Sequence, residues 1–136
     1  MVQKSCSHYN RAWGGIIALI AMLGCFVAFM VRGYIADYHI KPPDSKCTIS
    51  ELENKIGPPQ HLAIIKNNNT QYLVWIGYVP SLTIRSGPPC YIFDERGKLV
   101  DWCSESGEGW PLQNLVDNAF DTSPISLDEA IEWVKD

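Results

Sequence analysis

Twenty consecutive residues, Ala12 to Val31, carry no charge: AWGGIIALIAMLGCFVAFMV. At ~1.5 Å of rise per residue, a helix of that length spans roughly 30 Å, the thickness of a bilayer's hydrocarbon core. A soluble core helix that long would keep a polar stripe, and this run has none. Arg11 and Arg32 bound it. The pattern predicts a transmembrane anchor over residues 12–32, behind a short N-terminal tail, 1–11. Two further readings stay open. A cleaved secretory signal would have an apolar core of only ~7–15 residues ending in small side chains. A lipoprotein signal would use Cys25, which follows Met22-Leu23-Gly24, but the residues after it remain apolar. Cys25 reads mainly as a small, membrane-compatible side chain.

Past the anchor the pattern changes. Residues 33–46 read as a tether, with Pro42-Pro43 forbidding a continuous helix. Thr48 and Glu51 have capping-box spacing, Ile49, Leu52 and Ile56 share a face, and Gly57-Pro58-Pro59 stops the helix. Two strand-like runs follow, LAIIK and QYLVWIGY, joined by Asn67 to Asn69, which tolerate positive φ. Leu82 to Ile84 fits a short edge strand between prolines. YIF and LVDW flank DERGK, a hairpin signal with Gly97 at a left-handed position. Pro111 opens a helix striped by Leu112, Leu115, Val116, Ala119 and Phe120. A second capping box, Ser126 to Glu129, opens the last helix. The order predicts an α+β domain over residues 47–136: a small antiparallel sheet of about three to five strands with helices on one face, then a C-terminal helical extension.

The capped helix ending in IGPP, the Trp/Tyr strand and YIFDERGKLVDW together resemble the SmpA/OmlA domain of small bacterial envelope proteins. Thr48 stands at its capping position, Leu52 and Ile56 at its apolar helix positions, and Gly57 and Pro59 at its G-x-P. Phe93, Gly97 and Leu99 match its hairpin. The resemblance covers about residues 47–103. It implies an anchored accessory module that works through protein contacts, such as the small lipoprotein of the outer-membrane β-barrel assembly machine. The chain departs from the pattern with Lys46-Cys47 in place of the usual G-M pair, with a membrane-length run in place of a lipid anchor, and with the extension after Pro111.

Charge changes the picture by its placement. The formal net charge is −4, yet residues 99–136 hold nine carboxylates against Lys135 alone. So acidic a tail argues against nucleic acid as a partner and suits a basic protein partner or a solvated face. The positive-inside rule sets Lys4 and Arg11 against Arg32, Lys41 and Lys46 and leaves the orientation undetermined. A single N-terminal span ahead of the only domain favours export, with the domain on the periplasmic side.

Candidate chemistry is sparse. Cys47, Cys90 and Cys103 lie in the domain, so at most one bridge can form within it. A two-residue turn at Arg96-Gly97 would set Cys103 opposite Cys90. The favoured three-residue turn with a glycine bulge would set Cys103 opposite Pro89 and diagonal to Cys90. Cys90 and Cys103 are the candidate disulfide, and three idle thiols are the alternative. His8, His39 and His61 are scattered. The run Asp101-x-Cys103-x-Glu105-x-Gly107 lacks the sixth-position glycine and closing glutamate of a calcium loop. No catalytic, metal or cofactor constellation is expected, and no small-molecule substrate is evident. Trp75 and Trp102 read as core, and Trp13 and Tyr34 as an interfacial belt. Trp110 and Trp133, with the loop acids Glu105 and Glu108, are the candidate partner contacts. The expectation is a membrane-anchored accessory protein of the bacterial envelope that is not an enzyme. The alternatives are a secreted binding or inhibitor module, and a small hydrolase using Asp101, Glu105 and Glu108.

Overall fold

The structure, a computed structural model, describes residues 5–78, 87–105 and 109–134. It divides into two compact units, Met1–Ile35 and Ala36–Asp136. Helix α1 runs from Ser5 to Ile40. Every residue from Trp13 to Arg32 is exposed on it. Among the described residues it is the one helix long and apolar enough to cross a membrane. It continues eight residues past the expected end at Arg32. Nothing between Gly33 and Ile40 breaks a helix, and the stop comes where Pro42 bars its predecessor from helical φ/ψ.

The second unit is the α+β domain. Helix α2 (Ile49–Ile56) is followed by strands β1 (His61–Asn67), β2 (Thr70–Ile76), β3 (Cys90–Phe93) and β4 (Leu99–Cys103), then helices α3 (Gln113–Phe120) and α4 (Leu127–Trp133). The strands pair antiparallel in chain order. The segment Leu82–Ile84, expected as an edge strand, lies outside the described residues.

Both capping boxes form. The Glu51 carboxylate accepts from the Thr48 backbone N–H at 2.7 Å, and Thr48 Oγ1 accepts from the Glu51 N–H at 3.3 Å. Ser126 and Glu129 repeat the exchange at 2.6 and 3.2 Å. The first hairpin turns on Asn68 and Asn69, with φ of 48° and 68°, the type I′ geometry that matches strand twist. Helix α3 begins at Gln113, two residues after Pro111, and Leu112 at its N-cap makes no side-chain capping bond.

The second hairpin closes through Glu95, Arg96 and Gly97. Asp94 Oδ1 accepts from the Arg96 and Lys98 N–H groups at 3.0 and 2.9 Å, and Gly97 takes φ 66°. This is the favoured three-residue turn, but its register does not persist. Phe93 faces Leu99, whereas Ile92 faces Asp101, so Val100 is an extra residue on β4. The reason lies in the core. Leu99 and Trp102 are three apart and would fall on opposite faces of a regular strand, yet both pack on the same cluster. The bulge makes that parity work and leaves Val100 52% exposed.

Helices were expected on one face of the sheet; they cover both. Ile49 and Leu52 of α2 and Ala130 of α4 pack on Leu62, Leu73, Trp75, Tyr91 and Phe93. Leu115, Val116 and Ala119 of α3 pack on Ala63, Ile65, Val74, Ile76 and Ile92. All four residues of β3 are buried, so neither sheet face can be left to water. The edges are covered too: the Ile125 N–H donates to the Leu62 carbonyl of β1, and the Leu99 N–H of β4 donates to the Cys47 carbonyl. The end of α1 belongs to this unit. Ile40 is buried, and its carbonyl, orphaned at a helix C-terminus, accepts from the Tyr91 hydroxyl.

Two predictions follow from this packing. A Cβ at Gly97 would lie 2.7 Å from Val134 Cγ2 on a backbone already at positive φ. Gly97→Ala is expected to cost about 2–4 kcal/mol by urea unfolding, the sum of left-handed strain and overpacking. The backbone and hydroxyl hydrogen bonds of Thr48 hold Glu51 below the usual glutamate range, and those of Ser126 do the same for Glu129. A lowered folded-state pKa gives stability that is present above the unfolded value and lost as pH falls through the folded one. The urea midpoint should therefore drop below about pH 4.3, and drop less in a Glu51→Gln, Glu129→Gln variant.

Candidate functional site

The loop after β4 is fastened by Asp101. Its Oδ1 accepts from the Trp102 N–H at 2.8 Å, and its Oδ2 accepts from Trp110 Nε1 at 3.3 Å. Trp110 is half-buried against the α3 cluster. Glu105 is exposed; its carbonyl accepts from the Cys103 thiol at 2.7 Å. Glu108 lies outside the described residues. Trp133 packs on the opposite sheet face, half-buried, and its indole N–H donates to Gln71 Oε1 at 3.3 Å. The structure thus brings Asp101 to Trp110 and Cys90 to Cys103, but it puts Trp110 and Trp133 on opposite sides of the sheet. The two tryptophans belong to separate surfaces, and each spends its N–H inside the domain.

Two features escape the sequence reading. One is a groove of about 670 Å³ lined by Tyr38, His39, Lys41, Glu51, Asn54 and Lys55. Lys55 Nζ stands 4.5 Å from the centre of the Tyr38 ring, a cation–π arrangement. The Thr48 hydrogen bonds hold Glu51 ionised, so Lys41 and Lys55 face one carboxylate and leave the groove a single net positive charge. The available signal was Lys41 and Lys46 beside Pro42-Pro43, in a segment that reads as a tether. The other is a cavity of about 170 Å³ between α2, α4 and the hairpin tip, lined by Ile49, Arg96, Gly97, Ile131 and Val134. Ile131 beside it is 45% exposed and is flanked on α4 by the exposed acids Asp128 and Glu132.

Among the described residues no three of His, Cys, Asp and Glu converge as metal ligands. His61 is occupied in structure: its Nε2 lies 2.7 Å from the Ala119 carbonyl near the end of α3, and its ring stacks on Phe120. Cys47 is buried at the edge of the α2 face, and burial pushes its thiol above the usual range, away from the reactive thiolate. Comparison with family models, with curated proteins and with solved structures finds no match to this chain.

The Asp101 contact yields a prediction. Asp101→Ala leaves the Trp110 indole N–H and the Trp102 backbone N–H without their Asp101 acceptor, which is expected to cost about 1–3 kcal/mol. Trp110 should then become more accessible to iodide quenching, measured against a Trp110→Phe variant to isolate its signal.

Proposed function

We propose that this protein is a membrane-anchored accessory module whose domain holds a basic protein partner. The observation that carries the reading is the α4 surface, where exposed Ile131 borders a small apolar cavity and stands between Asp128 and Glu132. An apolar anchor point with the carboxylates of α4 on one side and Arg96 on the other has the layout of a protein contact: the cavity takes a side chain, and the α4 acids favour a basic one. The exposed apolar run of α1 supplies the anchor. The resemblance to the SmpA/OmlA domain supports a bacterial envelope setting with the domain on the periplasmic side. Asp101 is engaged with Trp110, and that favours contact over catalysis by the loop acids.

The test is affinity capture of the full chain from crosslinked membranes, compared with Ile131→Glu and with an Asp128→Lys, Glu132→Lys variant. Expected is a specific basic partner lost in both variants, with chain levels unchanged. Retention of the same partner in both would reject the α4 surface. A processed chain in the soluble fraction would support the secreted module instead, and an activity abolished by Glu105→Gln would support the hydrolase. Glu132→Cys, labelled in intact cells by a membrane-impermeant maleimide, reads the orientation: labelling only after lysis would exclude an exported domain.

A further inference from the structure

The bulge at Val100 has a chemical result. The three-residue turn alone would set Cys103 opposite Pro89; one extra residue on β4 moves it opposite Cys90. The Gly77 N–H donates to the Pro89 carbonyl at 2.8 Å, so Pro89 faces β2 and the next residue, Cys90, directs its backbone groups to β4. Cys90 and Cys103 thus form a hydrogen-bonded cross-strand pair. Such pairs have Cα atoms ~5.5 Å apart, inside the disulfide window of ~4.4–6.8 Å, with both side chains on one face. Their sulfurs at present serve separate carbonyls, Cys90 that of Pro88 at 3.5 Å and Cys103 that of Glu105 at 2.7 Å.

We infer that Cys90 and Cys103 are a dithiol–disulfide modification site, closed by exchange with a small-molecule or protein disulfide. Burial sets the order of events. Cys90 is fully buried and Cys103 only partly so, so Cys103 is the one that can meet an incoming disulfide, RSSR. The Cys103 thiolate attacks RSSR, forming Cys103–S–S–R and releasing one RS⁻. The Cys90 thiolate then attacks the Cys103 sulfur, forming the cross-strand bond and releasing the second RS⁻. The two protein thiols lose two protons to solvent and two electrons to RSSR, which ends as two thiols. The exchange also removes the S–H that holds the Glu105 carbonyl, so oxidation staples β3 to β4 and unties the start of the acidic loop. Cys47 stands apart. It belongs to the cluster on the other sheet face, and its thiol is raised by burial.

The test uses the purified, detergent-solubilised full chain carrying Cys6→Ser and Cys25→Ser, equilibrated with oxidised glutathione under folding conditions and mapped by mass spectrometry without reduction. Expected are a Cys90–Cys103 linked peptide, unmodified Cys47, and a melting temperature several degrees above the reduced form. In a Cys90→Ser variant glutathione should remain on Cys103, whereas in Cys103→Ser it should not reach Cys90. Absence of the linked peptide in the chain with all three domain cysteines, or a link to Cys47, would overturn the inference. So would glutathione on Cys90 in a folded Cys103→Ser chain. No partner enters the test, so its failure and that of the interaction reading are separable.

Discussion

The domain depends on one constraint: its two central strands are apolar on both faces. Leu73 to Ile76 of β2 and Cys90 to Phe93 of β3 leave no polar row for solvent. At ~25 cal/mol per Å² of apolar surface, leaving either face wet would forfeit an amount comparable to the net stability of a domain of about a hundred residues. The chain meets this with short helices from both ends of the domain, α2 and α4 on one face and α3 on the other. The C-terminal helical segment is therefore part of the core.

The two-sided sheet explains the irregularities of β4. An edge strand facing two cores must give each face its large residues in the right parity, and LVDWC has Leu99 and Trp102 in the wrong one. The bulge at Val100 repairs that parity, letting Trp102 stack on Tyr91 at 6.2 Å with nearly parallel rings. Asp101 and Cys103 are thereby turned to the α3 face, where the one fastens Trp110 and the other meets Cys90. A packing requirement on one side of the sheet thus creates the chemistry on the other.

What was legible in the sequence is what local chemistry decides. Two capping boxes, an Asn-Asn turn and a glycine at positive φ are each settled within about five residues, where a side chain and the backbone groups it satisfies are neighbours. The second helical layer was not legible, because a four-residue strand such as CYIF is too short to distinguish one buried face from two. Nor was the bulge, since it depends on which distant side chains Leu99 and Trp102 must join. The tryptophans illustrate the same limit. Trp110 looked like an exposed anchor after a glycine-rich loop, and Trp133 like one off its helix stripe. Their acceptors are Asp101, nine residues back, and Gln71, sixty-two residues away. Polar satisfaction across that distance leaves no periodic trace.

The end of α1 shows how the same logic assigns a segment to a unit. A helix terminating in water can leave its last carbonyls to solvent, so an exposed tether would need no partner there. Ile40 is instead 4% exposed, with its carbonyl taken by Tyr91, a residue whose ring is locked against Trp102 and whose strand is buried on both faces. Burying that carbonyl without a donor would cost about 1–3 kcal/mol, so a hydroxyl at this position of β3 is what permits Ile40 to pack. The hydroxyl has a second consequence. It fixes the exit of the helix beside Lys41 and Pro42, and so shapes the cationic groove below α2. Lys41 and Lys55 line that groove together with Glu51, beside the end of α1.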